Sequence, residues 1–81
     1  MLLLKQTMTR LTDVFRDVFD DDSLNITPNT TADDIEDWDS IEHITLIGAV
    51  EEEFGMKFKM GEVSGMNNVG DMLKIVMERG K

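Results

Sequence analysis

The pattern that most constrains the fold is a helical spacing of apolar residues near the start of the chain. Each residue of an α-helix turns the chain by about 100°, so apolar residues three or four positions apart share one face. We predict an amphipathic helix over about residues 3–20, which Asp20-Asp21-Asp22 ends because acids oppose the negative end of the helix dipole. An arc of roughly 140° on this helix holds Leu4, Met8, Leu11, Val14, Phe15, Val18 and Phe19.

The start of a second helix is marked by Asp39-Ser40-Ile41-Glu42, which has the spacing of a capping box. Asp39 is expected to be the N-cap, with Glu42 reaching back to it, and the helix is expected to run to Phe54. Gly55 suits the left-handed position that follows a helix. The predicted core face of this helix consists of Leu46, Ile47, Val50 and Phe54.

Two more helices and a long loop complete the predicted fold. A short helical piece is expected over residues 60–66, and a last helix is expected to begin at Asn67 or Asn68 and to end at Gly80. Residues 21–38 are predicted to form a long loop because turn-forming residues are frequent there. No stretch of useful length alternates apolar and polar residues as a β-strand does. The predicted fold class is therefore all-α, a small four-helix bundle with three longer helices, one short helix and the long loop after the first helix.

The absence of cysteine from the 81 residues excludes disulfide bonds, thiolate metal sites and a catalytic thiol on the protein itself. A chain of this length forms one small domain at most, so we predict a single domain over residues 1–81. Without disulfides, the core of that domain has to come from well-packed elements.

The chain is strongly acidic, because 17 acidic and 8 basic residues give a net charge of −9 with histidine neutral. Nucleic acid backbones and anionic membranes should repel such a chain, and neither is expected as a partner. No apolar run approaches the roughly 18 residues of a membrane span. Met1-Leu2-Leu3-Leu4 is too short for the core of a signal peptide. We therefore expect a cytoplasmic protein.

No motif in the sequence indicates catalysis or a specific metal site. A calcium loop of the EF-hand type starting at Asp20 would need an oxygen ligand at its fifth position and glycine at its sixth, where Leu24 and Asn25 stand. His43 is turned by about 300° from Ser40 around the second helix, so the helix does not assemble a catalytic triad. We predict that the chain is not an enzyme and holds no metal. His43 is expected to be partly buried and hydrogen-bonded.

The face of the second helix opposite its core side carries Ile41 and Ile44, which lie beside Ser40. Contact with a partner protein is one explanation of this apolar pair, and packing under the long loop is the other; we favour the partner. Glu51-Glu52-Glu53 crowds the last turn, where each acid opposes the helix dipole. Spacing alone leaves two explanations of these acids, a solvated helix end and a docking surface for a basic partner.

A longer pattern surrounds Ser40. Asp37-Trp38-Asp39-Ser40-Ile41-Glu42-His43-Ile44 is followed by Leu46-Ile47 and by Glu51-Glu52-Glu53-Phe54-Gly55. This pattern resembles the acyl carrier protein family, in which the serine of an Asp-Ser-Leu motif carries 4′-phosphopantetheine that a phosphopantetheinyl transferase moves from coenzyme A. The resemblance implies a four-helix bundle in which Ser40 holds this arm as a phosphodiester. The thiol of the arm would then hold an acyl or aminoacyl group as a thioester.

Three residues depart from the usual pattern of that family. Ile41 replaces the usual leucine, which is a mild change. Trp38 precedes Asp39, where fatty-acid carriers usually have a smaller residue, and a tryptophan there resembles discrete carriers of specialised or cell-surface biosynthesis. Gly48 stands where many fatty-acid carriers have a larger apolar residue. Trp38 and Gly48 therefore argue against a standard role in fatty acid elongation.

The resemblance also implies partners for the chain. Enzymes with basic surfaces would load, modify and remove the carried group, and the chain would act as a monomer. The face that they would recognise consists of Asp39, Ile41, Glu42, Ile44, Thr45, Gly48, Glu51 and Glu52. The alternative function is that of an acidic helical adaptor, which would bind a basic partner through the same face with Ser40 unmodified.

Overall fold

The computed structural model describes residues 2–81 and contains four α-helices within them. These are α1 (Leu4–Val18), α2 (Ser40–Phe54), α3 (Met60–Ser64) and α4 (Val69–Arg79). No strand occurs among the described residues, so the predicted all-α bundle of three longer helices and one short helix is confirmed. None of these helices is long and apolar enough to cross a membrane. Met1, which the predicted domain includes, lies outside the described residues.

The first helix ends earlier than predicted, at Val18. Asp20 is left-handed, with a φ of 50°, and its N–H donates to the carbonyl of Asp17 at 3.3 Å. The N–H of Asp21 donates to the carbonyl of Arg16 at 3.0 Å. These two bonds form a Schellman motif, in which the chain leaves a helix through one left-handed residue. A backbone turn therefore ends α1, in addition to the predicted repulsion between the acids and the helix dipole.

The predicted ends of α2 are largely confirmed. Asp39 is the N-cap, and its Oδ1 accepts the N–H of Glu42 at 2.8 Å. The helix ends at Phe54, and Gly55 follows with a left-handed φ of 58°. The second half of the capping box was predicted wrongly, because the N–H of Asp39 donates to the carbonyl of Asp37 at 3.0 Å. The turn before the helix thus occupies the donor that Glu42 was expected to reach.

The last two helices begin close to their predicted positions. Of the two candidate caps of α4, Asn68 is the one observed, and its Oδ1 accepts the N–H of Asp71 at 2.9 Å. The third helix ends at Ser64, before the end predicted at residue 66. The N–H of Gly65, which follows it, donates to the carbonyl of Gly61 at 3.1 Å. Residues 65–68 therefore connect α3 to α4 as a short irregular segment.

The long loop is held on the bundle by apolar side chains. Ile26, Ile35 and Trp38 are buried in the same core cluster as the helices. The indole of Trp38 meets the ring of Phe15 edge-on, with the ring centroids 5.3 Å apart. A 3₁₀ helix over Ala32–Asp34, which was not predicted, lies within this loop. The loop therefore follows a defined path to the start of α2.

Arg10 joins the first helix to the far end of the second. Its Nε donates to Oε2 of Glu53 at 2.8 Å, and its guanidinium also donates to the backbone carbonyl of Glu53 at 2.8 Å. The same guanidinium lies over the ring of Phe54, 4.2 Å from the centroid. Glu53 therefore has a structural role, because it ties α2 to α1. Of the three acids at the end of α2, this leaves Glu51 and Glu52 as candidates for a docking surface.

Glu62 and Arg79 form an ion pair that ties α3 to α4. The hydrogen bond from Arg79 is the largest cause that lowers the pKa of Glu62, and the N–H of Lys59, which donates to Oε1 of Glu62 at 2.8 Å, is the next. A carboxylate whose pKa is lowered by folding stabilises the folded state above its unfolded pKa. That stabilisation is lost as the pH falls through the lowered, folded value.

We expect Glu62→Gln to lower the melting temperature most at neutral pH. The gap to the wild-type protein should begin to narrow as the pH falls below the ordinary glutamate value of about 4.5, because the unfolded protein then takes up a proton at Glu62. It should be smallest once the pH has fallen through the lowered value, where the folded carboxylate is protonated as well. Circular dichroism melts from pH 3 to pH 7 measure this, with Glu36→Gln in the exposed loop as the matched control. A gap of constant size over that range would show that the ion pair does not stabilise the fold.

Candidate functional site

Ser40 is the first residue of α2 and is exposed. Its side chain makes no hydrogen bond to residues 2–81, whereas the preceding Asp39 is engaged as the N-cap. The first N–H groups of a helix have no partner within the helix, and they give its start a partial positive charge. A phosphate ester on the Ser40 hydroxyl would therefore be attached where the backbone favours an anion.

A groove of about 470 Å³ opens beside Ser40. One wall is the approach to α2 and its first turn, with Trp38, Asp39, Ser40 and His43. The other side is formed by α3 and the segment after it, with Val63, Ser64, Met66 and Asn67. The exposed hydroxyl thus lies at the edge of a partly apolar groove, which gives an attached arm a surface to lie against.

A hydrogen-bonded bridge joins three residues that line this groove. The indole Nε1–H of Trp38 donates to Nδ1 of His43 at 2.9 Å, and the two rings are stacked with centroids 5.8 Å apart. Nε2 of His43 lies 3.0 Å from the carbonyl of Val63. Because an indole nitrogen can only donate, Nδ1 of His43 must be the acceptor, and the ring proton belongs on Nε2, which donates to Val63. The prediction of a partly buried, hydrogen-bonded histidine is confirmed.

The bridge also defines what His43 cannot do in this arrangement. Both of its ring nitrogens are engaged, one by Trp38 and one by Val63. Neither is directed at the Ser40 hydroxyl. Within residues 2–81, no group of three or more His, Asp or Glu residues is placed to hold a metal ion.

The outer face of α2 is apolar and open. Ile41 is 74% exposed and Ile44 is 71% exposed, so packing under the long loop is not their role. Thr45 is also exposed, and a Cβ on Gly48 would meet nothing within 4 Å. Two isoleucines one turn apart therefore form an apolar surface directly after Ser40, and no described part of the chain covers it.

The acids at the end of α2 do not all have free carboxylates. Oε2 of Glu51 accepts the N–H of Phe58 at 2.7 Å, and Oε1 lies 3.9 Å from Nζ of Lys57. The Glu51 side chain is only 17% exposed. The carboxylate of Glu51, which the resemblance places on the recognition face, is therefore engaged within the chain, because the chain turns back after α2 and brings a backbone donor to it. Glu52 is exposed and keeps its place on the outer face.

Sequence reasoning missed the groove, although it had singled out two of the residues in the bridge. His43 was expected to be hydrogen-bonded and Trp38 was noted as a departure, but their pairing was not predicted. Val63 and Asn67, which form one side of the groove, lie more than twenty residues after Ser40 along the chain. The spacing of residues within one helix does not predict that these distant segments come together.

Comparisons with known proteins agree with this geometry. A family model described as "Phosphopantetheine attachment site" matches residues 9–76. Among solved structures, the chain is similar to the solution NMR structure of a holo acyl carrier protein from Geobacter metallireducens, at 44% sequence identity and a TM-score of 0.84. The match covers 90% of this chain and 84% of that one. A search of the curated proteins found no match.

Proposed function

The chain belongs to the phosphopantetheine-binding family of acyl carrier proteins, and we propose that Ser40 is the residue to which its arm is attached. A member of this family is a carrier and not an enzyme, and its prosthetic group is 4′-phosphopantetheine. The observation that supports Ser40 is its exposed hydroxyl at the start of α2, beside the groove. The other serines are less suitable, since Ser23 donates to Asp21 at 2.6 Å and Ser64 turns back to the carbonyl of Met60.

The residues around Ser40 fit such an arm. The hydroxyl supplies the oxygen of the phosphodiester, and the N–H groups at the start of α2 favour the negative charge of the phosphate. The bound group supplies a thiol, which the chain itself lacks because it has no cysteine. The groove between α2 and α3 gives the arm a surface on this protein.

We infer that the protein carries acyl or aminoacyl groups as thioesters and presents them to biosynthetic enzymes. Trp38 and Gly48, the two departures from fatty-acid carriers, favour a specialised pathway over fatty acid elongation. Modification by a phosphopantetheinyl transferase is proposed to take place in the cytoplasm, where coenzyme A is available. The protein is proposed to act as a monomer, since its task is to expose one arm to successive enzymes.

Intact-mass measurement tests the proposed attachment. The protein is incubated with coenzyme A and a broad-specificity phosphopantetheinyl transferase, and fragmentation then locates the added group. We expect one phosphopantetheine on Ser40. Ser40→Ala should accept none and should melt as the wild-type protein does, because the side chain is exposed and is not the helix cap. An arm found on Ser23 or Ser64 would contradict the assignment, and an unmodified protein would favour the adaptor.

The proposed docking surface for partner enzymes is the outer face of α2. It combines the exposed apolar pair Ile41 and Ile44 with the acids Glu42 and Glu52, and it adjoins the proposed attachment residue. Opposite charge steers a basic enzyme toward such a face, and the apolar residues then supply buried contact. Asp39, Thr45 and Gly48 complete the surface, whereas Glu51 is removed from it because its carboxylate is bound to Phe58.

Ile44→Ala tests this surface. We expect a change in the free energy of unfolding well below the 2–5 kcal/mol that a buried Ile→Ala substitution costs, because Ile44 is 71% exposed. The rate of arm transfer onto Ser40 should fall severalfold, since a partner loses one apolar contact. Chemical denaturation and initial transfer rates measure the two effects. Loss of stability without loss of rate would show that Ile44 is a packing residue.

A further inference from the structure

Gly48 lies in the middle of α2 and is exposed. A Cβ built on it would meet nothing within 4 Å, so no described neighbour requires a glycine there. The backbone does not require one either, because Gly48 is helical and Gly55 is the only described glycine with a positive φ. A glycine inside a helix destabilises it relative to alanine. The fold of the chain therefore gives no reason for a glycine at this position.

Gly48 completes a notch of four residues on the outer face of α2. The notch consists of Ile41, Ile44, Thr45 and Gly48, which stand at positions i, i+3, i+4 and i+7. Four residues with this spacing form the hole that receives one side chain of a facing helix. All four are exposed. Three corners of the notch carry side chains and the fourth has only backbone, so an incoming side chain can reach α2 itself at Gly48.

The surroundings of the notch are acidic. The second helix contains four glutamates and neither lysine nor arginine. Two of the glutamates are bound within the chain, one to Phe58 and one to Arg10. The carboxylates of the other two, Glu42 and Glu52, make no hydrogen bond or ion pair within residues 2–81, and Glu52 lies one turn beyond Gly48. The occupant that complements the notch is therefore a helix that carries an apolar side chain beside basic ones.

We propose that the notch receives an apolar side chain from a basic helix of the phosphopantetheinyl transferase, and that Gly48 sets how closely this helix approaches α2. This inference rests on the proposed attachment of the arm to Ser40. The transferase must bring its reacting atoms to the Ser40 hydroxyl itself, whereas later enzymes meet the thiol at the far end of the arm. Gly48 lies eight residues after Ser40, or about 12 Å along the helix, which places the notch beside the site of transfer.

Gly48 acts in this proposal as a specificity-determining residue. It does not touch the reacting atoms, but the distance between two packed helices depends on the side chains at their contact. A larger residue at position 48 would fill the notch and hold the transferase helix away from α2. The consequence should be weaker docking with unchanged chemistry at Ser40.

Gly48→Leu tests the proposal. Initial rates of arm transfer are measured at several concentrations of the carrier, with the transferase of the same organism and saturating coenzyme A. We expect the KM for the carrier to rise at least about tenfold, because the burial of one apolar side chain is lost. The kcat should stay within about twofold, because docking is weakened equally before and during transfer.

Gly61→Leu is the matched control. Gly61 is also an exposed helical glycine whose Cβ would meet nothing within 4 Å, but it lines a groove formed by α3 and α4. The same atoms are thus added away from the notch, and KM and kcat should match those of the wild-type protein. Equal rises of KM for both variants would overturn the proposal, because added apolar surface anywhere on the chain would then weaken docking.

Gly48→Ala separates docking from folding. Alanine suits the helix better, so the melting temperature should rise by about 4 °C or more, while KM should rise only about two- to threefold because one carbon fills little of the notch. A lower melting temperature would show that the fold itself requires a glycine, and it would overturn the inference.

The double variant Ile44→Ala with Gly48→Leu asks whether both residues form one notch. We expect its KM to equal that of Gly48→Leu alone, because a notch that is already filled has no contact left to lose at Ile44. A KM that rises by the product of the two single effects would overturn the shared notch.

The outcomes also separate this inference from the function on which it rests. An unchanged KM for Gly48→Leu, with Ser40 still modified, overturns the notch and leaves the carrier function intact. Failure of the wild-type protein to accept an arm on Ser40 overturns both. Circular dichroism of each variant verifies that it is folded before its rates are compared.

Discussion

Phe15→Ala is expected to lower the free energy of unfolding by about 3–5 kcal/mol. Phe15 is completely buried and is the ring on which Phe19 and Trp38 converge, with centroids 6.0 Å and 5.3 Å away. Its removal leaves a cavity under the long loop as well as a loss of apolar burial. A loss of this size is a large part of the 5–15 kcal/mol that holds most domains folded. Urea denaturation followed by circular dichroism measures the change.

Phe58→Ala is the matched control for this substitution. It removes the same atoms from a side chain that is only partly buried, and it keeps the backbone N–H that donates to Glu51. We expect a loss below about half of that for Phe15→Ala, because less apolar surface returns to water. Equal losses for the two variants would show that the loop contacts around Phe15 add nothing to the stability of the core.

Reversal of two charges on the outer face of α2 is expected to slow arm transfer on the order of tenfold at low salt. The change is Glu42→Lys together with Glu52→Lys, which turns an attractive surface into a repulsive one for a basic transferase. Exposed charges are screened beyond about 8 Å at physiological salt, so the difference from the wild-type protein should shrink as salt is added. Initial transfer rates at several salt concentrations measure both effects.

The control for charge reversal changes the net charge by the same amount elsewhere. Asp22→Lys with Asp33→Lys alters two exposed loop acids whose side chains make no hydrogen bond within residues 2–81. This variant should slow transfer much less than the α2 variant. If the two variants transfer equally slowly, bulk charge guides the transferase, and α2 has no special docking face. Glu51 is left unchanged in both, because its reversal would release the N–H of Phe58.

The local chemistry of α2 could be predicted from the sequence because each part of it lies within one or two helical turns. Asp39 caps the helix through a bond to a residue three positions away, and Gly55 ends it through its own backbone freedom. The helical angle that separates Ile41 and Ile44 from the core face is likewise a property of the helix itself, and both side chains are exposed. Ser40 was therefore placed at an open helix start before any tertiary contact was considered.

The pairing of acids and bases was decided by the tertiary structure. Glu51 and Glu53 looked alike in the sequence, yet Glu51 binds Phe58 behind the helix, and Glu53 binds Arg10 of α1. A helical wheel gives the direction in which a side chain points from the helix, but it does not show which residue from another segment will bind that side chain. The surface available to an enzyme is consequently smaller than the count of acids on α2 suggests.

The sequence by itself determined the four helices, the N-cap of α2 and the position of the candidate attachment residue. The groove and the bridge that lines it were decided only when the chain folded, because His43, which pairs with Trp38, must also meet Val63, twenty residues further along the chain. Short-range backbone bonds and the helical repeat act between residues that are always neighbours. Contacts between distant segments depend instead on the path of the loops and on the packing of the whole core, which no local spacing encodes.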